Sequence, residues 1–398
     1  MRTFFTALAL ALPALAVASR AQAEDAFKIG FITTLTTPSA VIGRDMVDAV
    51  NLAIEHAGGT IGGRKIVLVV EDDAQRPDLG RQKAEKLVRQ DNVDVVAGFI
   101  WANVMAAARK PILDAGKILI TTNAATSDIA GKGCNPDIFG TRGEADVFAT
   151  AAGEVMNRGG AKRAYLMGPN YIAGKDFTDG VERAFKGQVA GRDLTKWGDD
   201  PQLDFSAELA KVKASGADAL FAFYPGRAAV AFARQFDQAG LAGQVRLYTL
   251  FTIDQLSLPP LQQANVTAAL GSMTADFWSP SLDNPANKKF VADFRAKYGR
   301  YPSNYAAASY DLVPFLKAAV EKAGGAPGDA AKMRQALRKA SFASVRGRFV
   351  LGPNQLPEDD YYGIEVVADP QGVWTLASRA KVLDKAVDPY AKDCRYPQ

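Results

Sequence analysis

His56 is the one histidine of this chain, and Cys134 and Cys394 are its two cysteines. A single imidazole leaves no room for a multi-histidine zinc site or a histidine facial triad, and two thiolates cannot close a four-thiolate site. A hydrolytic triad would have to use His56. That residue ends a helical run just before Gly58-Gly59, where it reads as a surface or C-terminal capping residue. Two acidic runs, Glu71-Asp72-Asp73 and Glu358-Asp359-Asp360, could supply paired carboxylates. Their positions, at a strand end and after Pro357, read instead as solvated turns. Gly131-Lys132-Gly133 begins like a dinucleotide fingerprint, but Pro136 stands where the third glycine belongs. The chain has no Walker A pattern, no G-x-S-x-G elbow and no C-x-x-C. This inventory points to binding without catalysis, metal or cofactor.

The composition fits a globular chain of 398 residues, with 48% hydrophobic and 23% charged residues. That length suggests two domains. Residues Met1 to Ala23 read as a secretory signal peptide: Arg2 gives the positive start, Ala7 to Ala18 the apolar run, and Ala21-Gln22-Ala23 the cleavage pattern, with cleavage after Ala23. The run is shorter than the ~20 apolar residues of a membrane span and Pro13 interrupts it, so no direct membrane insertion is expected. Removing Arg2 and Arg20 lowers the lysine and arginine count from 47 to 45 against 43 acids. A balance near +2 gives no reason to invoke nucleic acid. Export places the chain in an oxidising compartment, where Cys134 and Cys394 are expected to pair as one disulfide, with two unrelated thiols as the alternative.

Strand-like and helical runs alternate. Lys28–Ile32, Ile66–Val70, Val93–Gly98 and Ile118–Thr121 read as strands, with helices over 43–56, 81–90 and 104–115 between them. The pattern restarts with a helix over 145–158. Strands near 165–167, 219–223 and 245–250 then alternate with helices over 175–185, 207–214 and 228–239. This is an α/β order, predicting two doubly wound lobes with ligands outside the carboxyl ends of the strands.

With the elements in place, an ordered series of motifs resembles a known family. Lys28-Ile29-Gly30, Ile61-Gly62-Gly63-Arg64-Lys65, Ala84-Glu85-Lys86-Leu87-Val88, the loop Thr121 to Thr126, Asp283 to Asn287 and Phe294 to Pro302 stand in that order. Together they resemble the type I periplasmic solute-binding proteins of ABC transporters, in the branched-chain amino acid (leucine/isoleucine/valine) group. The resemblance implies two lobes joined by three crossovers, 24–146 with 272–352 and 147–271 with 353–398. It also implies a small-molecule ligand in the cleft, a membrane ABC permease as partner, and no catalysis.

The family's ligand positions carry over one at a time. Its carboxylate-binding serine after the third strand falls on Asn103, and its alanine and threonine in the fourth loop on Ala124 and Thr126. Its early tyrosine is Ile42 here. The glutamate that holds the ligand's ammonium falls on Thr252, whereas a register slip of two residues would place Asp254 there. Trp101, Tyr171, Ala173, Tyr224, Phe251 and Tyr305 fall at or beside cleft positions. A buried ammonium without a carboxylate is costly. Thr252 therefore argues for a small aromatic or hydrophobic carboxylate, and Asp254 for a branched-chain amino acid or amide.

Overall fold

The computed structural model describes residues 26–198, 201–323 and 330–396. The expected signal peptide lies outside the described residues. Two sheets organise the chain. The first runs β2-β3-β1-β4-β5-β6, from β1 (Phe27–Thr33), β2 (Thr60–Ile61), β3 (Arg64–Asp72), β4 (Val95–Gly98), β5 (Ile118–Thr121) and β6 (Ile138–Gly140). Phe27, Ile29, Phe31 and Ile32 are all fully buried. A strand covered on both faces needs such a continuous apolar run. Helices α1 (Ala40–His56), α2 (Pro77–Arg89) and α3 (Ala102–Asp114) lie between these strands, followed by the short α4 (Ser127–Ala130).

The second sheet runs β13-β12-β11-β10-β9-β7-β8, from β7 (Arg163–Pro169), β8 (Gln188–Thr195), β9 (Ala219–Phe223), β10 (Arg246–Leu250), β11 (Met273–Asp276), β12 (Asp359–Ala368) and β13 (Trp374–Ala386). Helices α5 (Ala145–Arg158), α6 (Ile172–Ala184), α7 (Ser206–Ala214), α8 (Arg227–Gln238) and α9 (Leu258–Gln263) accompany it. A third group, α10 (Pro285–Tyr298), α11 (Asn304–Tyr310), α12 (Leu312–Lys322) and α13 (Ala330–Arg338), returns to the first lobe, where α11 and α12 pack on α1. The two-lobed α/β architecture follows from this layout.

The chain crosses between lobes three times, near 141–144, 277–284 and 339–358. The second crossing comes after β11, which the second sheet holds, so it falls beyond the expected boundary at 271/272. Arg346 touches all three crossings. It donates to the Thr141 carbonyl and to Asp359 Oδ2 at 2.8 Å, and its guanidinium lies 4.2 Å from the Phe277 ring centroid. It also donates to Asp311 Oδ2 at 3.1 Å.

Both acidic runs differ from the expected solvated turns. Asp73 is fully buried, accepting from Thr34 Oγ1 at 2.5 Å and Gln75 N at 2.8 Å. Asp359 is buried at the start of β12 as the partner of Arg346. Each acid has a donor supplied by a distant segment, which a local charge pattern does not reveal.

Cys134 and Cys394 form a disulfide with a Cα–Cα distance of 5.6 Å. It fixes the tail that leaves β13. On the way, Asp388 accepts from Asn354 Nδ2 at 2.8 Å, and the Tyr390 hydroxyl donates to Asp146 Oδ2 at 2.7 Å. The tail thus runs from the second sheet across to the loop between α4 and β6.

Candidate functional site

The carboxyl ends of β4, β5, β7, β9 and β10 face one another across the interlobe cleft. The loops that follow them enclose a narrow slot in which the centre of a water-sized sphere can range over about 40 Å³. Six of its lining side chains are aromatic: Trp101, Tyr171, Phe177, Phe223, Phe251 and Tyr305. None is acidic. Ile100, Ala102, Asn123, Ala124, Ala125, Thr126, Arg142, Gly143, Ala145, Ala173 and Pro225 complete the wall.

The rings brace one another across the cleft. Trp101 is fixed to the first lobe by its indole N–H, which donates to Thr34 Oγ1 at 2.8 Å. Its ring lies 5.3 Å from that of Trp197, which stacks on Tyr171 at 4.5 Å and 12°. Phe177 continues the wall at 4.5 Å from Phe223 and 5.5 Å from Phe251, and Phe251 lies 5.8 Å from Tyr305. Aromatic pairs at these separations favour one another beyond simple burial. Phe251 adopts φ +52°, and Phe99, just after β4, adopts φ +69°. Left-handed backbone at non-glycine residues costs on the order of 1–3 kcal/mol and gathers at ligand sites.

Two helices start at the slot. Trp101 stands at the N-cap position of α3 and Tyr171 at that of α6, and neither helix has a side-chain cap or an acid in its first turn. Their first N–H groups and dipole ends favour an anion.

Arg142, on the first crossing, forms part of the slot and is 4% exposed. Its guanidinium lies 4.3 Å from the Phe148 centroid and 4.2 Å from that of Phe251. Nη1 reaches the Asn123 carbonyl at 3.5 Å, and Nε has no hydrogen-bond partner. Burial holds its pKa below the ordinary value, opposed by the charge of Asp276. Asp276 is itself pushed up to about 7 by burial, and it accepts from Asn304 Nδ2 and from Phe277 N.

Trp101, Ala124, Thr126, Tyr171, Ala173, Phe251 and Tyr305 all lie on the slot wall. Five other positions that the sequence pointed to lie elsewhere. Asn103 is one residue into α3, and the helical turn carries it away from the slot while Ala102 faces it. Ile42 is buried in α1 and borders a separate depression with Pro38, Gly226 and Arg227. Tyr224 is 1% exposed and packs between Phe205 and Phe232, at 4.7 and 5.2 Å. Thr252 is buried behind the loop. Its Oγ1 accepts from Tyr224 N at 2.7 Å and donates toward the carbonyls of Leu250 and Ala222, at 3.0 and 3.1 Å. Phe251 occupies the slot in its place. Asp254 is outside the slot, and its Oδ1 accepts from Leu256 N and Ser257 N, both at 2.9 Å.

Sequence reasoning passed over Arg142, Phe177 and Phe223. A signal for Arg142 existed, since it stands two residues after the end of β6. Three residues, Ile138–Gly140, were too short a run to read as a strand.

A family model described as a periplasmic binding protein matches residues 26–371. The Leu/Ile/Val-binding protein homolog 6 of Brucella melitensis is 29% identical over 358 residues, 86% of this chain and 89% of that protein. Among solved structures, an ABC-transporter solute-binding protein of R. palustris in complex with benzoate is 26% identical. It has a TM-score of 0.85 and covers 93% of this chain and 99% of its own. A solute-binding protein of Rhodopseudomonas palustris BisB5 in complex with 3,4-dihydroxybenzoic acid is also 26% identical, with a TM-score of 0.82 and coverage of 91% and 99%.

Proposed function

From the premise that the chain belongs to the periplasmic binding protein family, whose members capture solutes for ABC transporters, we propose that its ligand is a small aromatic or hydrophobic carboxylate. The observation that carries this reading is the make-up of the slot, with six aromatic side chains, two uncapped helix starts and no acid. Rings hold a ring, and N–H dipoles with a nearby guanidinium suit an anion. An α-amino acid brings an ammonium that nothing acidic in the lining meets, and burying it unpaired costs several kcal/mol. The benzoate and dihydroxybenzoate complexes of the two structural relatives support the same class.

The mechanism is capture by closure. The ligand fills the space between loops of both lobes and draws them together about the three crossings, and the closed form is what a membrane permease recognises. The lobes are taken to divide near the crossings, with Trp101, Ala124, Thr126 and Tyr305 on one side and Tyr171, Ala173 and Phe251 on the other.

A thermal-shift screen tests the ligand class, because a ligand that binds only the folded state raises its apparent stability by mass action. Benzoate-like or cinnamate-like acids are expected to stabilise the protein, and leucine and valine are not. Stabilisation by leucine or valine alone rejects the reading. Small-angle scattering should show compaction on saturation with the acid that stabilises most.

A further inference from the structure

We propose that Arg142 receives the ligand's carboxylate, so that the acid end of the ligand faces the first interlobe crossing and its ring lies among Tyr171, Phe177 and Phe223. The inference rests on the aromatic-carboxylate reading and adds the residue that reads the charge.

Arg142 is the one lysine or arginine of the slot wall, which has no acid. At 4% exposure its guanidinium is withdrawn from water. An uncompensated buried cation is strongly unfavourable, so such groups are almost always paired. Among the described residues no carboxylate makes an ion pair with it. Its one hydrogen bond is the long contact to the Asn123 carbonyl, and Nε has none. Phe148 and Phe251 both lie beside the guanidinium, which steadies the cation and fixes its plane. Ring faces do not satisfy in-plane N–H donors, however, so the guanidinium of this slot-wall residue keeps donors that no protein group accepts. The carboxylate whose charge acts on it most, Asp276, has its oxygens engaged by Asn304 Nδ2 and Phe277 N. A planar guanidinium with free donors matches a carboxylate in two-point geometry.

The placement also links recognition to movement. Arg142 follows Thr141, whose carbonyl Arg346 holds. A carboxylate bound to Arg142 therefore sits on the first crossing itself, where the two lobes pivot.

The test uses the mature chain, with benzoate and its neutral analogue benzamide as probes and calorimetry as the readout. Arg142→Met keeps the volume of the side chain and removes its charge. Benzoate affinity is expected to fall roughly 30-fold or more, the scale for removing one partner of a buried charge pair. Benzamide affinity should change less than about threefold. Arg142→Lys, which keeps a point charge without the fork, should fall between the parent and Arg142→Met for benzoate. Parent-like benzoate affinity in Arg142→Met overturns the assignment and leaves the ligand class standing. A parent protein that binds leucine but no aromatic acid removes the ligand class and the assignment with it. If Arg142→Met does not fold, the parent decides: benzoate should bind at least tenfold tighter than benzamide, and equal affinities overturn the assignment.

Discussion

Asp254 and Thr252 were the two residues on which the choice between an amino acid and a simple carboxylate turned, and in the folded chain both hold backbone. Asp254→Ala leaves the N–H groups of Leu256 and Ser257 without their acceptor. The expected result is a loss of about 2 kcal/mol by urea denaturation. Affinity for whichever acid stabilises the parent should stay within a factor of two, whereas an ammonium-binding role would abolish binding of leucine. Several buried carboxyls also make stability depend on pH. Burial pushes Asp276 up to about 7, and Asp45, Asp73 and Asp359 up to about 6. Each binds its proton more readily in the folded chain than in the unfolded one, where its value is near 3.8. Their cost is therefore absent below that value and develops as pH rises through 6 to 7. The urea midpoint is expected to be higher at pH 5.5 than at pH 8, and Asp276→Asn should flatten that slope.

At the scale of elements, the slot depends on how closely α6 approaches β7. A Cβ on Gly174 would meet the Pro169 carbonyl oxygen at 1.8 Å, so no side chain fits there. Gly174→Ala is expected to push the start of α6 outward, carrying Tyr171 and Ala173 with it. Stability should fall by about 1–3 kcal/mol, and ligand affinity should fall as well, both measurable on one calorimetric sample series. Elements with a strong apolar period were readable in advance: the buried strands β1, β4, β5, β9 and β10 and the helices between them stand within a few residues of their expected ranges. β8 was not readable, because Gln188–Thr195 is a mostly half-buried edge strand in which Gln188, Arg192, Asp193 and Thr195 break up any apolar run. Nor were the antiparallel β12 and β13, which pair far from the repeating unit. The same physics governed the site. Loops after visible strands held Trp101, Tyr171 and Phe251, and the family resemblance pointed to Ala124 and Thr126, while Arg142 followed a strand of three residues. Phe251 rather than Thr252 faces the slot because of a backbone turn at positive φ, which side-chain spacing does not encode.

Over the whole molecule, one buried guanidinium, that of Arg346, links the three crossings between the lobes. Arg346→Met strands Asp311 and Asp359 without their cation, and removing one partner of a buried pair typically costs about 3–5 kcal/mol. Because the same side chain also holds the Thr141 carbonyl, the variant should show a wider scattering envelope without ligand as well as a lower melting temperature. The bridge between Cys134 and Cys394, 260 residues apart, has a different kind of consequence. It turns everything between them, including β6, the whole second sheet and α10 to α13, into a covalent ring, while β1 to β5 form an open arm that leads into it. A single backbone cut anywhere within the ring yields no separate fragment until the bridge is reduced. The loops after β4 and β5 belong to the arm and the rest of the slot wall to the ring, so the slot forms where the arm of the chain closes against its own ring.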